Sequence, residues 1–226
     1  MSHDELLALT LSLKVALWAT FFILVPGVAM AWLLARKEFL AKPLLDAMVH
    51  LPLVLPPVVP GYGLLLLLGK EGLLGRMLFD FLGIRLAFTW QGAAVASAIM
   101  AFPLLVRTAR LAIALVDPRI EEAARTLGSS PWRVFYSMTL PLALPGVGTG
   151  AVLAFARSLG EFGATITFAG NIPGETRTLA LAIYTELQMP GGEGAAGRLT
   201  LFSLTLAFLA LLISDSVSKR MEKRRS

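Results

Sequence analysis

The feature that most constrains this chain is the alternation of long apolar segments with short charged connections. Five segments, 15–35, 48–68, 88–105, 140–159 and 199–217, approach the roughly 20 residues that a helix needs to cross a hydrocarbon layer. In lipid the backbone must satisfy its own N–H and C=O groups, so segments of this length are read as helices. The predicted fold is therefore an all-α polytopic membrane protein with five transmembrane helices. Only 15% of the residues are charged, against about 25% in ordinary soluble domains, which agrees.

The net charge of +5 does not point to nucleic acid, because the charges are parcelled into the connections. With five spans the termini lie on opposite sides, and Lys and Arg choose between the two orientations. If the N-terminus is outside, thirteen cations fall on inner segments, among them Arg36, Lys37, Arg107, Arg110 and Arg133, and six on outer ones. Arg157 lies within the fourth segment. The bias predicts N-terminus outside and C-terminus in the cytoplasm. There is no cysteine, which leaves no disulfide framework and no thiolate metal site. The start lacks the basic region of a cleaved signal peptide, so the first span is expected to be retained. No further span is expected before Leu6, and no regulatory domain is expected after Ser218. The whole of 1–226 is expected to be one transmembrane domain.

The connection at about 107–139 is the longest run that reads as ordered soluble protein. Asp117 is a good N-cap and Pro118 a good first helical residue. Ile120, Ala123, Ala124 and Leu127 share one face at helical spacing; Arg119, Glu122 and Arg125 share another, and Glu121 reaches Arg125 at i+4. Gly128 stands where a helix ends in the left-handed conformation, and Ser130-Pro131 restarts one. This is a short stiff helix with a small-residue face. By spacing alone it is either a surface helix or a docking element.

In the second segment, HLPLVLPPVVPGYG, four prolines including Pro56 and Pro57 remove backbone hydrogen bonds and predict a bent helix, facing a pore or kinked for packing. The fourth has Gly146, Gly148 and Gly150, small residues that let helices approach closely, and ends in ARSLGEFGATITF. There Arg157 and Glu161 are one turn apart; ionisable groups at a span are read as facing a wet path or gate, with Ser158 between them, or as an interfacial pair. Asp46 and His50 make another i, i+4 pair, read as structural; with only two histidines in the chain no metal site is expected. The run 63–70 has five residues between its glycines and Glu71 after its lysine, so it is not a phosphate loop and nucleotide must bind elsewhere. Residues 73–83 read as a short interfacial helix, and 171–178, NIPGETRT, as an outer turn followed by a helix to Gln188.

Glu122-Ala123-Ala124, Gly128 four residues on, and Leu140-Pro141 after the spacing of EAARTLGSSPWRVFYSMTLP resemble the EAA loop of bacterial ABC-importer permeases. Met138 departs from the usual isoleucine, a volume-conserving change. Together with HLPLVLPPVV, ARSLGEFGATITF and GNIPGETRT, nearly the whole chain is similar to the molybdate permeases, the ModB family. The resemblance implies a type I ABC importer (MetI-like) permease fold and a homodimeric channel for molybdate. It also implies a coupling loop, with Glu121, Glu122, Ala123, Ala124, Arg125, Leu127, Gly128, Leu140 and Pro141, that docks on two ATPase subunits. ATP and magnesium are then on those subunits, and a periplasmic or lipid-anchored binding protein delivers the anion. The expected location is the bacterial inner membrane. Sulfate or tungstate remains an alternative substrate. A membrane-embedded enzyme is the rival class, but the chain has no His-Glu-x-x-His, no paired intramembrane acids and no Ser/His constellation, so no catalytic residues are expected.

Overall fold

A computed structural model describes residues 2–223, and every regular element among them is helical. In order these are α1 His3–Arg36, α2 Lys42–Val54, α3 Val58–Leu68, α4 Leu73–Leu82, α5 Trp90–Ala114, α6 Pro118–Thr126 and α7 Pro131–Val134. A π-helical turn, Phe135–Thr139, leads into α8 Leu140–Leu159, followed by α9 Gly163–Phe168, α10 Leu179–Leu187 and α11 Glu193–Lys223. Four helices are long and apolar enough to span a membrane: α1, α5, the continuous Pro131–Leu159 helix, and Glu193–Ile213 within α11.

The spans are longer than their apolar cores. α1 begins twelve residues before the predicted start because Ser2 and Glu5 form a reciprocal capping box: Ser2 Oγ accepts from Glu5 N–H, and Glu5 Oε2 accepts from Ser2 N–H at 2.8 Å. α5 continues nine residues past 105, since Arg107 and Arg110 are good helix formers and end nothing. Consequently the connection after α5 begins at Leu115 and not at 107.

The second span is not one bent helix. α2 and α3 meet at 112° across Leu55–Pro57. The cause is the proline pair: Pro56 and Pro57 offer no N–H, and a residue before proline is driven out of the helical region. Leu55 accordingly has φ −72° and ψ 145°. Pro60 falls in the first turn of α3, where a missing N–H costs nothing, and Pro52 sits inside α2.

α5 is the hub, packed between α1 and α8, with α11 against α8 and α10 bridging α11 and α1. Ala93, Ala96, Ala101, Leu105, Ala109 and Ile113 on α5 are fully buried. Close approach needs small residues here. A Cβ on Gly146 would lie 2.3 Å from that of Ala112, and one on Gly27 would lie 2.6 Å from Leu105 Cδ2. Both spacings are shorter than atoms tolerate, so each glycine sets a helix–helix distance. Where the end of α1 meets the α5–α8 pair, Leu34, Ile113, Val116 and Phe135 close one apolar cluster. At the far end Arg198 donates to Glu5 at 2.7 Å and Leu179 N–H to Ser12 Oγ at 2.6 Å, tying α11 and α10 to α1.

Candidate functional site

The connection between α5 and α8 forms as its punctuation predicts. Asp117 Oδ1 accepts from Arg119 N–H at 2.9 Å, Pro118 is the first helical residue, and Gly128 has φ +82°. Ser130 Oγ then accepts from Arg133 N–H and Pro131 opens α7. Spacing put Ile120, Ala123, Ala124 and Leu127 on one face without saying which way it turns, and the structure turns it largely outward. Ile120, Ala123 and Leu127 are exposed, Leu127 at 87%, and Ala124 is half-buried. The residue turned inward is Glu121, 4% exposed.

Glu121 is buried because three elements converge on it. Arg36, at the end of α1, donates from Nε to Oε1 at 3.0 Å, with Nη2 at 2.9 Å from the same oxygen. Thr139, at the end of the π-helical turn, donates to Oε1 at 2.8 Å. Arg36 Nη2 also donates to the Val116 carbonyl at 2.8 Å, just before α6. The expected partner, Arg125, reaches only 3.8 Å from Oε2 and is half exposed. A carboxylate is costly to bury unless its charge is met, and here Arg36 and Thr139 both converge on Oε1. Glu121 is thus an internal anchor and not part of the exposed face, whereas Glu122 is exposed. Leu140 and Pro141 are also not loop residues: they open α8, and Leu140 packs against the Leu34 cluster. Neither Arg36 nor Thr139 stood out in the sequence. The partner of Arg36 is 85 residues away, and Thr139 is marked only by its place beside the Leu-Pro of the loop pattern.

The gate candidates are partly brought together. Arg157 Nη1 stands 2.7 Å from Glu161 Oε2, and Glu161 Oε1 accepts from Ala164 N–H at 2.8 Å, at the start of α9. Glu161 is 1% exposed and Arg157 half-buried. The hydroxyl of Ser158 is buried without a hydrogen-bond partner. α9 packs on α3. A Cβ on Gly163 would meet Pro57 Cβ at 2.7 Å, and one on Gly61 would meet the Ala164 carbonyl at 2.8 Å. The proline break is therefore in contact with the start of α9, two residues after Glu161, while Pro56 and Pro57 themselves are exposed. Nearby elements are fixed as well: Asp46 accepts from Arg110 at 2.8 Å, joining α2 to α5, with His50 Nδ1 3.4 Å away. In the 171–178 turn, Arg177 donates to Asn171 Oδ1 and Asn171 to Thr185 Oγ1, each at 2.9 Å. Among the described residues no three His, Cys, Asp or Glu side chains cluster to hold a metal ion.

A bundle with a broken second span and a short helix pinned across its connections is the fold of ABC-importer permeases. It is shared with a chain of the MetNI methionine ABC transporter in inward-facing conformation, with TM-score 0.74, 18% identity, and 98% of this chain and 99% of that chain covered. Residues 27–223 match the family of binding-protein-dependent transport system inner membrane components, and the chain belongs to that family as a multi-pass inner-membrane permease. It is similar to the molybdenum transport system permease protein ModB of Escherichia coli strain K12, at 55% identity over 224 residues, covering 99% of this chain and 98% of the relative. The ModB of Haemophilus influenzae is 52% identical over 220 residues, with 97% and 96% covered.

Proposed function

We propose that this chain is the channel-forming subunit of an ATP-driven importer for molybdate, working as a homodimer with two ATPase subunits and a separate anion-binding protein. The observation that carries the reading is the outward, small-residue face of α6, held rigidly from behind by Glu121, in a chain so similar over its full length to molybdenum permeases. A docking helix needs both properties. Exposed Ala123 and half-buried Ala124 let a partner approach closely, and Ile120 and Leu127 offer it apolar surface. In this reading ATP and magnesium are bound and used by the partner, and the chain carries no cofactor of its own.

The geometry supports a lever. α6 is joined to the end of α1 through Arg36 and to the root of α8 through Thr139. A partner that draws two copies of α6 together moves both spans with them, biasing a pore that has two packed states. The break at Pro56-Pro57, the Arg157–Glu161 pair and Ser158 line or gate the path. In this reading the side of α6, which carries the excess of Lys and Arg, is cytoplasmic and the N-terminus is outside.

The test is uptake of labelled molybdate by vesicles holding this permease with its ATPase and binding protein. Uptake should require ATP and the binding protein, and excess tungstate or sulfate should compete only as far as the binding protein accepts them. ATP-dependent uptake of sulfate in preference to molybdate with that binding protein would overturn the substrate. No uptake of any oxyanion would overturn the class of cargo.

A further inference from the structure

We propose that the groove between α1 and the Pro131–Leu159 helix is a binding site for an anionic phospholipid. One acyl chain lies in the groove, and the phosphate is held by Lys37 and Arg133.

The groove is a cavity of about 480 Å³ whose walls are almost wholly apolar. α1 contributes Leu24, Val28 and Ala29, and the facing helix contributes Tyr136, Leu144 and Val147. Both walls are membrane spans, so the groove runs along the bilayer and opens to its acyl chains. One end is closed by an aromatic cluster: Trp32 stacks on Trp132 at 6.0 Å, Trp132 on Tyr136 at 6.4 Å, and Phe135 meets Trp32 edge-on at 5.6 Å. Trp and Tyr gather at headgroup depth, where one side of the ring is apolar and the other wet. This end of the groove therefore lies at the headgroups.

Two cations stand at that same end. Lys37 Nζ is 5.6 Å from the Trp32 ring centroid, and Arg133 follows Trp132 on α7. Both are exposed, and among the described residues neither has an acidic partner. Their neighbour Arg36 is already engaged by Glu121. A long apolar trough ending in two unanswered positive charges at the membrane surface fits a molecule with an acyl chain and an anionic head. Basic pockets between spans recognise such lipids. A protein segment would have to supply the same apolar ridge and a matching acid, whereas the surrounding bilayer supplies both in one molecule. A lipid seated here would brace α1 against α7, one residue from the Arg36–Glu121 pair. The inference rests on the two helices being spans. It does not depend on the substrate or on which end is cytoplasmic.

The test uses the full chain, with the subunits it assembles with, in vesicles of uniform composition on both leaflets. Trp18→Phe and Trp90→Phe leave Trp32 and Trp132 as this chain's emitters, and ATPase and binding-protein tryptophans are subtracted with a quadruple tryptophan-free permease. Brominated phosphatidylglycerol should quench them at a lower mole fraction than brominated phosphatidylcholine, by about fivefold for each cation engaged. Lys37→Gln with Arg133→Gln should abolish that preference while leaving quenching by either lipid. Ala29→Phe, an exposed position inside the groove, should reduce quenching by both. Equal quenching by the two lipids in the parent would mean ordinary annular lipid and would overturn the site. A preference that survives the double substitution, or no quenching by either lipid, would overturn it too, the last showing that protein covers the groove.

Discussion

Arg36 Nη2 and Glu121 Oε1 are 2.9 Å apart, although 85 residues separate them in the chain. The pair fastens the end of the first span to the inner face of the loop helix, and Thr139 adds the fourth span to the same oxygen. Removing either partner strands a buried charge. Arg36→Ala should therefore cost about 3–5 kcal/mol of local stability. Arg36→Met with Glu121→Gln should cost less than the sum of the two single changes. Thermal unfolding of the purified permease, followed by loss of monodisperse protein, gives the comparison; additive losses would mean the two side chains act separately.

Docking is tested at the opposite face of the same helix. Ala123→Trp places a bulky group on an exposed surface, so insertion and the amount in the membrane should stay normal while co-purification of the ATPase falls. Gly128→Val must force a β-branched residue to φ +82°, at a cost of about 1–2 kcal/mol, and should weaken the same association by disturbing the turn. Variants that hold the ATPase and couple its hydrolysis to uptake like the parent would reduce α6 to a surface helix.

The Arg157–Glu161 pair makes a second double-mutant cycle. Arg157→Ala and Glu161→Ala should each slow uptake, and the double variant should lose less than their sum, since each single change leaves a charge without its partner. Glu161→Ala should be the more severe because that carboxylate also receives the Ala164 N–H that starts α9. Uptake indifferent to all three variants removes these residues from the path.

Orientation is read by reporters fused after Ser226. A reporter that works only in the cytoplasm should be active there, and one that requires export should be silent. The reverse pattern would overturn the charge-based topology.

Much of this molecule was determined by sequence alone. Five apolar stretches dictated an all-helical membrane bundle, since lipid leaves the backbone few alternatives. Asp117-Pro118, Gly128 and Ser130-Pro131 marked the loop helix by local rules that need no partner, and Arg157 and Glu161 paired because one helical turn separates them. What required the tertiary structure was every choice between equivalent local options. Periodicity showed that Ile120, Ala123 and Leu127 share a face, but not that this face turns outward. That depended on Arg36 arriving from the first span to neutralise Glu121. Four prolines announced a disturbance in the second segment, but its size, 112°, was settled where α9 packs against α3, with Gly163 against Pro57. The physical reason is common to both. Helix geometry, caps and turns act over a few residues, whereas the side of a helix that is buried is decided by counter-charges and apolar surfaces brought from elsewhere in the chain.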